Sequence, residues 1–481
     1  MNQCHLSFPG LVCLACVSLS AEEQQVKLGP ELVARSGVKH LPAATGSTGP
    51  ILSVDVPARA WPTGQGTIMM RVRTSRRIGN VPPQTPARKT NIILSPAIGL
   101  ELSESTDCPR FRIFSPAMAK ARGPVIRISY LDPGKWYHLA LAWEASTGKV
   151  NVYVNGWAQQ KVQLRPWKPS PNAAGKLQLG GVLGTGKDSA IIAVRAAEMH
   201  AWYMSEAQVR RTLVGQTLCE VGSGVRQSYE HPFDLSGYTL KPIFVPDFSK
   251  PLPIVAEDDF FKDGKRIGQP KPGQWVLEGT AKAFTAGGQL TIDNLLTSSP
   301  NHVVLWLPRV FPENFLLEFD ITIEKEDEGL AIVFFAARPR DDPKGSIFRK
   351  GLARRGGLFK SYIVGDVNSY HVSYLAASGG SAMGGPRRTA NCRKNSGFWM
   401  VACGDDQIQG KGLGRRPHRV KFLKVGSKIR VEANGRLCVA FDDDGKTWGP
   451  VLTDGYIGLR QMNHLLSAQY SNLKIYSVEL K

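Results

Sequence analysis

Lys135-Trp-Tyr-His-Leu-Ala-Leu-Ala-Trp143 is followed, after Ser146-Thr-Gly148, by Lys149-Val-Asn-Val-Tyr-Val-Asn-Gly-Trp157. Both arms are rich in β-branched and aromatic residues, which fit a pleated, half-buried surface. The Ser/Thr/Gly cluster between them is a chain-reversal signal. Lys135–Gln160 therefore reads as an antiparallel β-hairpin.

Working outward, the same kind of short segment recurs. Thr67–Val72, Asn91–Leu94, Ile98–Leu102, Phe111–Phe114 and Val125–Tyr130 precede the hairpin, and Ile191–Val194 follows it. In the C-terminal half, Phe315, Leu317, Phe319, Ile321 and Ile323 alternate with Leu316, Glu318, Asp320 and Thr322, the period of a strand with one largely polar face. Leu330–Ala337 is apolar without a break, as expected of a strand covered on both faces. Arg419–Val425, Lys428–Ala433, Leu437–Asp442, Gly455–Arg460 and Leu473–Val478 continue the series. Many short strands and 49 Gly with 32 Pro for the turns predict an all-β chain. Its 481 residues are too many for one core.

The expected layout is a leader at 1–21, a polar entry segment at 22–50, a first sandwich at 51–213, a linker at 214–253 and a second sandwich at 254–481. The leader rests on the apolar run Leu11–Leu19 and the small residues Ser18, Ser20 and Ala21, although its first residues carry only His5 and no Lys or Arg. Secreted or periplasmic placement follows as an expectation. No other stretch approaches the roughly 20 apolar residues of a membrane helix. Beyond the leader, Cys108, Cys219, Cys392, Cys403 and Cys438 are odd in number and widely spaced. That pattern indicates neither a zinc site nor a disulfide framework, and buried free thiols are expected in preference to a Cys392–Cys403 bridge.

The formal net charge of +20 favours polyanionic partners. Nucleic acid has charge alone in its favour, since no basic recognition helix or known module occurs. No phosphate-binding Gly-x-x-x-x-Gly-Lys-Ser/Thr loop is present.

The first hairpin resembles the laminin G-like branch of the concanavalin A-like jelly rolls through Trp136, His138, Leu139, Ala140, Trp143, Gly148, Val152, Tyr153, Val154, Asn155 and Gly156. The second half resembles the YesU-like family of bacterial jelly rolls through Asn368–Tyr374, Asn391–Lys394, His418, Gly455–Met462 and Tyr470–Leu473. Together these resemblances imply two concanavalin A-like jelly-roll β-sandwiches in tandem. Calcium occurs in some laminin G relatives, but the chain shows no compact acidic cluster. No cofactor is expected, and a structural calcium is the one metal the resemblance would admit. The YesU-like family has no assigned reaction, and its members sit beside genes for pectin and uronate breakdown.

The residue types in Asn368–Lys394 point the same way. Two phenols, an imidazole, amides and cations fall within one hairpin's length. A site for an acidic polysaccharide would use Arg393, Lys394, His418, Arg460, Gln461 and His464 to bind. Cleavage by β-elimination needs the carboxylate neutralised, a base for the C5 proton and an acid for the leaving oxygen. His371 or Tyr370 would serve as base and Tyr374 as acid. Two alternatives stand beside this. One is a non-catalytic pair of lectin-like modules. The other is a jelly-roll glycoside hydrolase, but Glu318, Asp320 and Glu324 miss the spacing of the retaining glucanases by one residue. Asp443-Asp-Gly-Lys-Thr-Trp448 reads as a structural hairpin turn of the Asp-box type.

Overall fold

The computed structural model describes residues 11–14, 52–56, 64–79, 81, 88–95, 98–105, 108–115, 125–128, 130–168, 175–185, 189–200, 202–213, 232–294, 302–323, 330–374, 389–406, 408, 416–462 and 467–481. The chain divides into two units, Met1–Gln227 and Ser228–Lys481. Each is a two-sheet β-sandwich of the jelly-roll kind. No helix among the described residues is long and apolar enough to cross a membrane.

In the first unit the hairpin of Trp136–Glu144 and Lys149–Val154 lies in a seven-stranded sheet. Its arms pair antiparallel, Leu139 opposite Val154 and Trp143 opposite Val150. Leu11–Leu14, within the apolar run expected as a leader, forms the edge strand beside Ala190–His200. A six-stranded sheet lies opposite, and Ile68, Leu100, Phe111, Leu141, Trp143, Val152 and Leu177 fill the space between the two. Alternation explains the sorting: side chains two apart share a face, so the apolar half of each strand reaches one common core. Ser205 closes the unit by capping the helix Glu206–Thr212, with Gln208 completing the capping box.

His138, on the hairpin's first arm, is 6% exposed. Burial holds its pKa down to about 4; Glu198 opposes the shift and Arg71 adds to it. The unfolded ring titrates near 6.5, so its contribution to stability is complete above that value and is lost as pH falls toward 4. Between pH 7 and 4.5 the first unit of the wild-type chain should lose about 2 kcal/mol more than that of His138→Gln. Urea unfolding of both proteins at the two pH values measures the difference. Equal losses would remove His138 as the cause.

The second unit has two eight-stranded sheets. One runs Ala281–Ala286, Gln289–Asn294, Ser467–Leu480, Phe315–Ile323, His418–Val425, Lys428–Ala433 and Arg436–Asp442, with Tyr238–Phe244 also paired to Ser467–Leu480. The other runs Ile254–Ala256, Trp275–Glu278, His302–Phe311, Gly455–Met462, Ala331–Pro339, Val367–Tyr374, Thr389–Asn395 and Trp399–Asp405. The segment expected as a linker at 214–253 thus contains an edge strand of this unit. Pro242 obscured it in the sequence, and an edge position is where a strand tolerates proline. Cys108, Cys392, Cys403 and Cys438 are buried. Cys392 lies opposite Ala402, not Cys403, so the adjacent-strand bridge has no matching register.

Ala331–Pro339 is buried on both faces along most of its length. Its inner side chains, Val333 and Phe335 among them, join the inter-sheet core. Phe334, on the outer face, packs with Val304, Trp306, Ile347, Phe348 and Tyr362. The outer cover comes from the cation-rich segment at 340–366. Arg355 is 4% exposed and salt-bridged to Glu278, and Arg354 pairs with Asp258.

Candidate functional site

Strand alternation sorts the candidate residues onto opposite faces. In Val367–Tyr374, Tyr370, Val372 and Tyr374 belong to the inter-sheet core, packed with Phe335 and Phe422. His371 lies on the other face, edge-on to Phe334. Tyr370 donates its hydroxyl hydrogen to Asp443 and accepts from the Leu452 amide at 3.1 Å. Burial, first of all, pushes both phenols' pKa values up. Tyr370 and Tyr374 therefore stand in the core, away from His371, and the expected base-and-acid set is not assembled.

The same rule splits the adjacent pairs. Lys394 sits opposite Tyr370 and Arg393 opposite His371. Lys394 Nζ reaches Asp443 Oδ2 at 2.7 Å and the carbonyls of Gly449 and Pro450 at 2.9 and 2.8 Å. It is a structural plug and not a ligand group. Gln461 also faces inward, donating to the Tyr470 hydroxyl at 3.3 Å. His418 belongs to the opposite sheet, where it pairs in register with Ile321 and its Nδ1 lies 3.0 Å from Asn434 Nδ2. His464 falls outside the described residues.

His371, Arg393 and Arg460 do come together, on the outer face. The Phe334 ring links two of them: its centroid is 5.3 Å from that of His371 and 5.4 Å from Arg460 Cζ. Arg460 also lies 5.2 Å from Phe359 and 5.1 Å from Tyr362. Arg393 stacks on Phe398 at 3.8 Å and donates to its carbonyl at 2.9 Å. Asn395 Nδ2 donates to Ser369 Oγ at 3.0 Å and lies 2.9 Å from His371 Nδ1. Burial, then Arg393 and Arg460, hold the His371 pKa well below its ordinary value, so the ring is neutral near pH 7.

Arg460 is 0% exposed, and its Nε, Nη1 and Nη2 have no hydrogen-bond partner among the described residues. Burial brings its pKa down to about 10. The nearby carboxylates are already engaged. Glu278 accepts from Arg355 at 2.5 Å and from the Tyr362 hydroxyl at 2.6 Å. Glu257 pairs with Arg266 at 3.3 Å and accepts from the Arg355 and Gly356 amides. Sequence reasoning missed Glu278, Arg355, Tyr362, Phe359 and Phe398. A local signal existed only for Phe398, which follows the turn Asn395-Ser-Gly397. Among the described residues no group of three or more His, Cys, Asp or Glu is arranged to hold a metal ion.

Residues 269–475 match the family model described as a domain of unknown function, DUF1961. The uncharacterized protein YesU of Bacillus subtilis (strain 168) is 34% identical over 196 residues, 39% of this chain and 82% of that protein. A solved Bacillus subtilis protein of unknown function with a galectin-like fold is 30% identical, covering 43% of this chain and 90% of its own, with a TM-score of 0.38. The carbohydrate-binding module CBM66 of Bacillus subtilis is 16% identical over 42% of this chain and 95% of its own, with a TM-score of 0.28. By the YesU match, which spans most of that relative, the chain belongs to the DUF1961 family.

Proposed function

We propose that the second unit captures an acidic sugar, a uronate or sulfated residue of a polysaccharide, with its anionic group on Arg460. The observation that carries this reading is the buried guanidinium with no hydrogen-bond partner among the described residues. An uncompensated buried cation costs several kcal/mol, and a carboxylate or sulfate offers the planar pair of acceptors that a guanidinium fork matches. Arg393 adds a second positive charge. Ser369, Ser373, Asn391 and Asn395 provide hydroxyls and amides on the same face for sugar hydroxyls.

Binding without cleavage fits this geometry better than β-elimination. Tyr370 and Tyr374 lie on the core side of the sheet, and His371 stands apart from both on the outer face, between Phe334 and Phe398. Delivery of the protein outside the cell belongs to the same reading. N-terminal sequencing of protein recovered from the periplasm or medium tests it.

The central test is calorimetry of the full chain with galacturonate and sulfated-galactan oligomers, each beside its neutral counterpart. Binding to an acidic oligomer is expected, with affinity falling as salt rises and little or no heat from the neutral partners. Equal affinity for neutral and acidic chains would overturn the reading. A rise in ultraviolet absorbance from unsaturated product would convert the binder into a lyase and return the search to a base.

A further inference from the structure

Arg460 and Arg393 lie beneath two half-buried rings, Phe359 and Phe398. The rings meet edge to face at 5.3 Å, and Phe359 also stacks on His302 at 5.5 Å. His371 lies nearly parallel to Phe398 at 5.9 Å. The polar groups on the strands are thus closed under an aromatic roof whose outer side reaches solvent.

Both roof segments are short, and each depends on glycine or on a strained backbone conformation. Phe359 opens a helix of one turn, Phe359–Ile363, whose N-cap Leu358 makes no side-chain capping bond. A helix that short draws its stability from tertiary contacts alone. Gly357 precedes it at φ +74, where a Cβ would lie 2.0 Å from the His302 carbonyl oxygen. Phe398 has φ +58, a left-handed conformation that an aromatic residue rarely adopts and that costs about 1–3 kcal/mol. Gly397, at φ +120, leads into it, and its amide donates to the Ile363 carbonyl at 2.8 Å. That bond ties the two segments into one covering element.

We propose that Phe359 and Phe398 are the rings that contact the sugar, and that they part to admit it. In the closed form they satisfy the two guanidinium groups through their π-faces. On binding, they exchange those contacts for the apolar face of a pyranose ring, while Arg460 turns to the ligand's anionic group. This assignment rests on the reading of Arg460 as the anion site. It makes Phe359 and Phe398 determinants of specificity: an inorganic anion has no ring to take the place of the lost π contacts.

Two measurements test it, and the first needs no ligand. Phenylglyoxal modification of Arg460, followed by peptide mass spectrometry on the full-length protein, should be slow in the wild type. It should speed by about tenfold or more in Phe359→Ala, the loss of a contact of ~1.4 kcal/mol. Phe359→Leu, which retains bulk, should label at an intermediate rate and guards against a folding defect in the alanine variant. Unchanged labelling in Phe359→Ala would overturn the roof. The second measurement is affinity for galacturonate oligomers, which Phe359→Ala and Phe398→Ala should each lower by about tenfold. Faster labelling with undiminished affinity would overturn the sugar contact. Faster labelling in a protein whose wild type binds no acidic oligomer would instead overturn the assignment of Arg460, leaving a moving cover over an unassigned site.

Discussion

Arg460→Met is expected to stabilise the second unit by about 1–4 kcal/mol and to weaken capture of an acidic oligosaccharide on the order of 100-fold. The two effects have one cause. Arg460 is fully buried, and its three nitrogens lack hydrogen-bond partners among the described residues. The π-faces of Phe334, Phe359 and Tyr362, at 5.1–5.4 Å, recover only part of the lost hydration. Methionine fills much of the same space, is itself compatible with those rings and carries no charge to desolvate. A residue retained against stability is the usual signature of function. Arg460→Lys separates charge from shape. It keeps the cation but loses the planar fork, so affinity should fall by about tenfold while stability changes little. Urea midpoints and calorimetric titration on the same preparations give both readouts. A strong loss of stability in Arg460→Met would mean that the guanidinium holds the fold together, and the case for an anion site would collapse.

The sequence made the strands legible because burial imposes a period on them. Phe315–Ile323 and Leu330–Ala337 could be read from alternation and from unbroken apolarity. The strand Tyr238–Phe244 escaped because Pro242 breaks its pattern at an edge, where the ladder does not require every amide. For the site, the decisive information was already in the alternation of Asn368–Tyr374. Tyr370 and His371 are neighbours in the chain and therefore cannot face the same groove. The same holds for Arg393 with Lys394 and for Arg460 with Gln461. Chemical type nominated both members of each pair, whereas geometry admits one. Arg460 itself carried a visible signal, a cation directly after the apolar Ile457-Gly-Leu459. The Glu278–Arg355 pair behind it carried none. Glu278 and Arg355 are 77 residues apart in the chain and meet only because the connection that carries Arg355 folds over the sheet in which Glu278 ends the strand Trp275–Glu278. No local pattern encodes a pairing of that kind.

Lys394 shows how far a correct residue type can mislead, and its replacement should have the largest destabilising effect of any residue first assigned to the groove. Lys394→Met is expected to cost about 3–5 kcal/mol, the usual result of breaking a buried pair on one side. Asp443 is 4% exposed, and the replacement strips it of its one cationic partner among the described residues, leaving the Tyr370 hydroxyl and the Gly445 amide. The Gly449 and Pro450 carbonyls lose their donor at the same time, which frees the segment that the Asp-box turn leads into. Asp443→Asn in the same chain should recover part of the loss, because a neutral amide still accepts from Gly445 without leaving a buried charge uncompensated. Capture of acidic oligomers should stay within about twofold of the wild type in the doubly substituted chain, since these groups lie on the opposite side of the sheet from Arg460. The reverse outcome, unchanged stability with lost binding, would place the lysine in the groove. That would require the side-chain alternation of Thr389–Asn395 to be inverted, which would drive Cys392 and Ala390 out of the core and Arg393 into it.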